Sequence, residues 1–286
     1  MVLLAAMLWG TTGTAQSLAP AALSPYWVGA LRLAVASAFF AVLAAPALRA
    51  GGARQLPWRP ALLAAACVAA YNLSFFAGVK ASGVALGTAL AIGSGPLWAG
   101  LLQSVVQRRL PAPLWWLGTG LGVAGGAAMA LSGGQGTPGA PPAGIALCLL
   151  AGLSYAGYAL VNQRLVARSG AALANLAAFG GAALLSLPVA AALGGPAAAG
   201  AGTWVVVGYL GLVATGLAYL LFSTALRHLS GATAVTLALA EPVTAFVLAI
   251  VVVGEQPAAL AFAGLGGVLA GLGIVIAAEL RAAPGR

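Results

Sequence analysis

Negative charge is the scarcest thing in this sequence. Its 286 residues hold three carboxylates, one histidine and two cysteines, and charged residues make up 5% of the whole. With so few groups able to move a proton or hold a metal, there is no paired-carboxylate motif, no HExxH and no DxxD for a metal-bound diphosphate. An intramembrane enzyme such as a lipid-modifying transferase is therefore poorly supported, and no cofactor or metal is expected. Cys67 and Cys148 both fall inside apolar runs, which argues against a disulfide framework and CxxC metal chemistry and leaves them as small packing residues. The twelve basic residues give a formal charge of +9, yet they are scattered through short loops with no basic face, so nucleic acid is not an expected partner.

What the chain has instead is apolar length. Hydrophobic residues make up 62% of it and the mean hydropathy is +1.06, whereas soluble domains are about 25% charged. Apolar segments of about 18 or more residues, long enough to cross a bilayer, recur throughout and leave no room for a soluble domain between them. Hydropathy and breaker residues divide them into ten spans, at 2–18, 26–48, 61–79, 84–107, 115–131, 143–161, 175–193, 203–226, 232–253 and 259–278. With the N-terminus inside, ten of the twelve basic residues fall in cytoplasmic segments, Lys80 alone lies in an outer loop, and Arg32 lies within the second span. Basic residues are retained on the cytoplasmic side, so both termini are expected there. Trp27 and Trp204 mark the outer boundary and Trp58, Trp115 and Trp116 the inner one, leaving Trp9 and Trp98 at mid-span.

The chain repeats itself. An offset of 146 residues pairs Trp9 with Tyr155, Gln16 with Asn162, Pro96 with Pro242, and Gly118, Gly120 and Gly125 with Gly264, Gly266 and Gly271. An offset of 148 pairs Tyr71 with Tyr219, Lys80 with His228 and Ser82-Gly83 with Ser230-Gly231. Two units follow, 1–134 and 142–281, each of five spans. Because five is odd, the second unit enters the membrane from the opposite side, giving two inverted repeats, the arrangement with which secondary transporters open a central site to either side in turn.

The residues at mid-membrane depth fall into sets with helical spacing. Trp9, Thr12 and Gln16 follow i, i+3, i+7 on the first span, and Tyr155, Tyr158 and Asn162 repeat that spacing on the sixth. Tyr71, Asn72 and Phe75 on the third span, Trp98 on the fourth and Tyr219 on the eighth complete a candidate lining. Rings offer stacking and contact area to an apolar or planar solute, and amides can hydrogen-bond its amino or carboxylate group, so amino acids suit both. The plainer use of the same residues is filling gaps and joining helices.

Glu241 stands apart, because an ionised carboxylate at the centre of a span costs about 2.5 to 3.5 kcal/mol on insertion scales. It could couple protons, meet a substrate ammonium or bond a carbonyl freed by Pro242. Pro96 and Pro242, at matching depth in spans four and nine, are expected to break those helices beside a central cavity. Arg32 could snorkel outward, cap a helix end or meet a substrate carboxylate. The spacings Gly118-x-x-x-Gly122 and Gly267-x-x-x-Gly271 allow close helix packing, either in a homodimer or, more commonly, within the monomer.

In this order the chain resembles the EamA-type family of the drug/metabolite transporter superfamily. The likeness rests on LWG and two threonines at 8–12, Arg32 early in span two, the paired prolines, and V-G-E-x-x at 253–257 before a glycine-rich last span. The resemblance implies an all-α integral membrane protein of ten helices in two inverted repeats, with helices five and ten outside the central cavity. It also implies export of amino acids, aromatic or otherwise apolar, and related small metabolites across a bacterial inner membrane. The chain departs from the family where the fourth helix often ends in an acid and here has Gln107, Arg108 and Arg109. A multidrug or other metabolite effluxer, a nucleotide-sugar exchanger short of basic residues for its diphosphate, and a structural subunit are the competing readings.

Overall fold

The computed structural model describes residues 1–17, 23–108, 110–132, 141–254 and 256–282, and within these the regular structure is helical throughout. In chain order the helices are α1 (Val2–Ser17), α2 (Pro25–Arg49), a single 3-10 turn (Gly52–Gln55), α3 (Trp58–Ser82), α4 (Val84–Gln107) and α5 (Pro113–Ser132). There follow α6 (Pro142–Leu193), α7 (Ala201–Tyr209), α8 (Ala218–Ala225), α9 (Gly231–Leu237), α10 (Ala240–Leu248) and α11 (Ala259–Ala282). A π-helical stretch, Leu210–Leu217, joins α7 to α8 as one rod, and another, Ala249–Val253, extends α10. Glu255, the acid of the V-G-E-x-x segment, and Arg109 lie outside the described residues.

Eight helical segments are long and apolar enough to cross a membrane among the described residues. One of them is the 52-residue α6, whose axis is interrupted at Gly170 (φ 76°, ψ 162°), a conformation open to glycine and closed to residues with a Cβ. The α1 helix, at 16 residues, is shorter than all eight and is not among them. Helices α3 and α4 meet with almost no loop, because Gly83 takes φ 85° between them. Ser24 caps α2 and Ser230 caps α9, its hydroxyl accepting from the Thr233 amide at 3.1 Å. The α4 side chain Gln103 reaches across to accept from the Ala232 amide at 3.1 Å, satisfying another donor at that helix start.

The sequence implies that both prolines interrupt their helices, and the structure corrects this for one of them. Span nine is broken: α9 stops at Leu237, the Leu239 and Glu241 amides bond back to Thr236 and Ala238, and α10 starts at Ala240. Span four runs through Pro96 as one helix. A proline clashes with the carbonyl four residues back and gives it no N–H, and in span nine that carbonyl, of Ala238, accepts from the Glu241 amide instead, which makes the tight step ahead of Pro242.

Small residues set how closely the helices approach. A methyl group added at Gly125 of α5 would lie 2.5 Å from the Gly264 oxygen and the Val268 nitrogen of α11, and one added at Gly271 would lie 2.5 Å from the Gly122 nitrogen. Gly118 faces Gly271 and Gly125 faces Gly264, so the two helices run antiparallel and both glycine stripes are used inside this one chain. Elsewhere α1 lies on α10, where Gly10 admits Thr244 and the Glu241 carbonyl, and α6 lies on α4, where Gly152 admits Ser94 and the Ala91 carbonyl. Trp115, expected in the inner belt, is buried against Gly100 and Trp116, whereas Trp58 and Trp204 are exposed. Exposed leucines and valines cover the outside of the bundle, as a lipid-facing surface requires.

Candidate functional site

A cavity of about 100 Å³ lies where helices of both halves meet. Helix α1 supplies Trp9 and Thr12 to its wall, α3 Tyr71 and Phe75, α6 Tyr155, α8 Tyr219 and α10 Glu241. Their rings pack on one another. Trp9 lies 4.9 Å from Tyr219 and 6.3 Å edge-on to Tyr155, and Tyr71 lies 5.9 Å from Tyr155 and stacks on Phe75 at 5.8 Å. Such offset and edge-to-face pairs fix ring orientations beyond what burial alone provides.

The break in span nine explains how Glu241 gets there. It occupies the first turn of α10, the end at which the helix dipole favours a carboxylate. Gly10 lets α1 lie against that turn, which sets Trp9 beside the acid on the same wall.

Arg32 of α2 also faces the cavity. Its Nη2 donates to the Asn72 Oδ1 at 3.4 Å and its guanidinium lies over the Phe76 ring at 5.8 Å, so α3 holds it from behind. Gly29, one turn earlier on α2, gives Asn72 and Phe76 the room to do so, since a methyl group there would stand 2.5 Å from the Phe76 ring. Four buried groups around this wall have no hydrogen-bond partner among the described residues: Trp9 Nε1, Arg32 Nε, Asn72 Nδ2 and the Tyr155 hydroxyl.

The remaining candidate residues lie off the wall. Asn72 sits behind Arg32. Trp98 packs partly buried against the core, and Gln16 is exposed because it lies two turns beyond Trp9, about 10 Å along the axis, near the end of α1. Tyr158 and Asn162 belong to a buried polar network beneath the aromatic floor. There the Asn162 Nδ2 donates to Tyr158 Oη at 2.9 Å and to Ser223 Oγ at 2.8 Å, and Ser223 donates to Asn175 Oδ1 at 2.8 Å. The Asn175 Nδ2 in turn donates to the Tyr219 carbonyl at 3.1 Å, tying the network to the ring on the cavity wall.

Sequence reasoning missed the small apolar part of the wall, Ala91, Ile92, Ala214, Val235, Ala238 and Leu239. Nothing separates these residues from any other apolar residue in a span. It also missed Asn175 and Ser223. An asparagine close to the start of span seven and a serine four residues after Tyr219 are polar groups at membrane depth, and that signal was available. Two π-helical stretches were not legible either, although Gly211 and Gly216 in the first of them pack directly on α2, against Val35 and Phe39.

The EamA-like transporter family matches residues 1–131 and, a second time, residues 142–277. The chain belongs to the EamA-like transporter family. A protein from Bacillus subtilis (strain 168), described as the uncharacterized transporter YwfM, is 36% identical over 280 residues, covering 97% of this chain and 93% of its own. A solved crystal structure superposes with a TM-score of 0.81 over 96% of each chain at 19% identity, which speaks to the fold. Membership of the family makes this a multi-pass membrane transporter, and the apolar helices agree.

Proposed function

We propose that this EamA-like protein is a secondary transporter that exports amino acids with apolar or aromatic side chains, and related small metabolites, by alternating access. The observation that carries the reading is the cavity itself, walled by rings and bearing one acid and one base at the meeting of the two halves. Rings suit an apolar side chain and the polar groups suit an amino acid's head. The volume of about 100 Å³ is of the order of the 150 Å³ cavity that holds benzene, which favours a small metabolite over a multi-ring drug.

Alternating access requires two units facing opposite ways, here ten spans counted with α1 and with α6 divided at Gly170. The double family match supports a duplication. The α5–α11 contact supports inversion. Gly118 faces Gly271, the counterpart of Gly125, while Gly125 faces Gly264, the counterpart of Gly118. Each helix thus touches its partner in the reciprocal, antiparallel way that a two-fold relation generates. The rings repeat the pattern, since Trp9–Tyr219 and Tyr71–Tyr155 exchange under the same correspondence. The distribution of basic residues supports cytoplasmic termini.

The test is counterflow in proteoliposomes preloaded with single amino acids. Parent protein accumulates labelled L-leucine or L-phenylalanine, and Trp9→Ala or Tyr155→Ala reduces this about tenfold or more with folding intact. Accumulation equal to that of empty liposomes across the amino-acid panel would reject the reading.

A further inference from the structure

We infer that Arg32 and Glu241 hold the two charged ends of a zwitterion, the guanidinium taking a carboxylate and the Glu241 carboxylate taking an ammonium. The cavity then selects amino acids over the amines and acids that share their side chains. This rests on the reading of the cavity as a substrate site and adds to it the recognition of both head groups.

Among the described residues of the cavity wall Arg32 is the one basic and Glu241 the one acidic side chain. They come from different halves, Arg32 from α2 and Glu241 from the start of α10. The hydrogen bond that Arg32 makes goes to Asn72, not to Glu241, and at 3.4 Å it is longer than a normal N–H···O bond. Phe76 and Asn72 thus hold the guanidinium in place while leaving its fork largely unspent.

The unpartnered groups point to the same ligand. Arg32 Nε, Asn72 Nδ2 and Trp9 Nε1 are donors only, and the Tyr155 hydroxyl donates as well as accepts. Buried donors without partners are rare, and here three belong to residues of the cavity wall, Trp9, Arg32 and Tyr155, with Asn72 just behind Arg32, a grouping that asks for an acceptor. A carboxylate is the acceptor that a planar guanidinium fits best, through two parallel bonds. On the other side an ionised Glu241 only accepts, and an ammonium only donates. A solute with a single charge would leave one wall charge uncompensated in a low-dielectric site, whereas a zwitterion compensates both.

The test uses counterflow of labelled L-leucine and L-phenylalanine, competed by the matching amines (isoamylamine, phenethylamine) and acids (isocaproate, hydrocinnamate). The parent prefers each amino acid to both analogues by about tenfold or more, equivalent to about 1.4 kcal/mol. Arg32→Gln loses the preference over the amine and keeps that over the acid. Glu241→Gln does the opposite, and Arg32→Lys retains most of the preference. A role in packing alone would weaken all competitors together, and that outcome overturns the inference. So does a parent that accepts amine or acid as readily as the amino acid, which needs no variant to fold. If the parent exchanges amino acids while folded variants keep the full preference, only this inference falls. If the parent exchanges neither amino acid, the transport reading falls with it.

Discussion

Behind the cavity wall the two halves are built differently. In the second half Tyr158, Asn162, Asn175 and Ser223 form a fully buried hydrogen-bonded network. Under the correspondence between the halves, those positions in the first half are Thr12, Gln16, Gly29 and Phe75. Two of these line the cavity, one is exposed, and Gly29 is packed under Phe76 and Asn72. The cavity therefore reaches past Thr12 and Phe75 but stops above Tyr158 and Ser223. Under the proposed topology, with both termini cytoplasmic, that network lies on the cytoplasmic side of the cavity.

The largest effect should come from the contact the two halves share. Gly125→Leu drives a side chain into the α11 backbone and Gly271→Leu does the same to α5, and overpacking of this kind costs about 1 to 3 kcal/mol or more. Reciprocal contact predicts equal losses of the thermal midpoint in detergent for the two variants, with Gly266→Leu, which meets nothing within 4 Å, unchanged. Unequal losses would show that the halves do not meet symmetrically.

A smaller effect separates the halves themselves. Asn162→Ala strips the network of the amide that bonds Tyr158 and Ser223 and should cost about 1 to 3 kcal/mol. Its counterpart Gln16→Ala, at an exposed position, should stay within about 0.5 kcal/mol. Denaturation monitored by tryptophan fluorescence would distinguish them. Smaller still, Gln103→Ala removes one helix-start acceptor from the Ala232 amide, a loss of about 1 kcal/mol, the size typical of a helix cap. A midpoint unchanged by that variant would mean that another group meets the amide.

Much of the fold could be read from the sequence, because a bilayer demands long apolar helices and the breaker residues between them are conspicuous. The division of α6 is an example: apolar runs on either side of a short polar, glycine-containing stretch predict two spans, and the structure interrupts the helix at Gly170. The fate of the two prolines could not be read from proline alone, since one helix continues through Pro96 while the other span takes a tight step ahead of Pro242. Within the site, helical spacing brought Trp9 and Thr12 to one wall, yet the same spacing on α6 sent Tyr155 to the wall and Tyr158 and Asn162 to the network. Periodicity assigns a face; which neighbour that face meets depends on packing between the halves. Arg32 shows the same limit, since depth in the membrane left snorkelling, helix capping and a substrate contact all open, while in the structure Asn72 and Phe76 hold it on the cavity.

The opposed orientation of the two halves is what the account depends on most, and Lys80 and His228 test it, because they occupy matching turns. With Cys67 and Cys148 replaced by alanine, single cysteines are introduced as Lys80→Cys or His228→Cys. Intact cells are then treated with a membrane-impermeant thiol reagent. The account predicts labelling at 80 from outside and at 228 only after the membrane is permeabilised; labelling of both from the same side would contradict it.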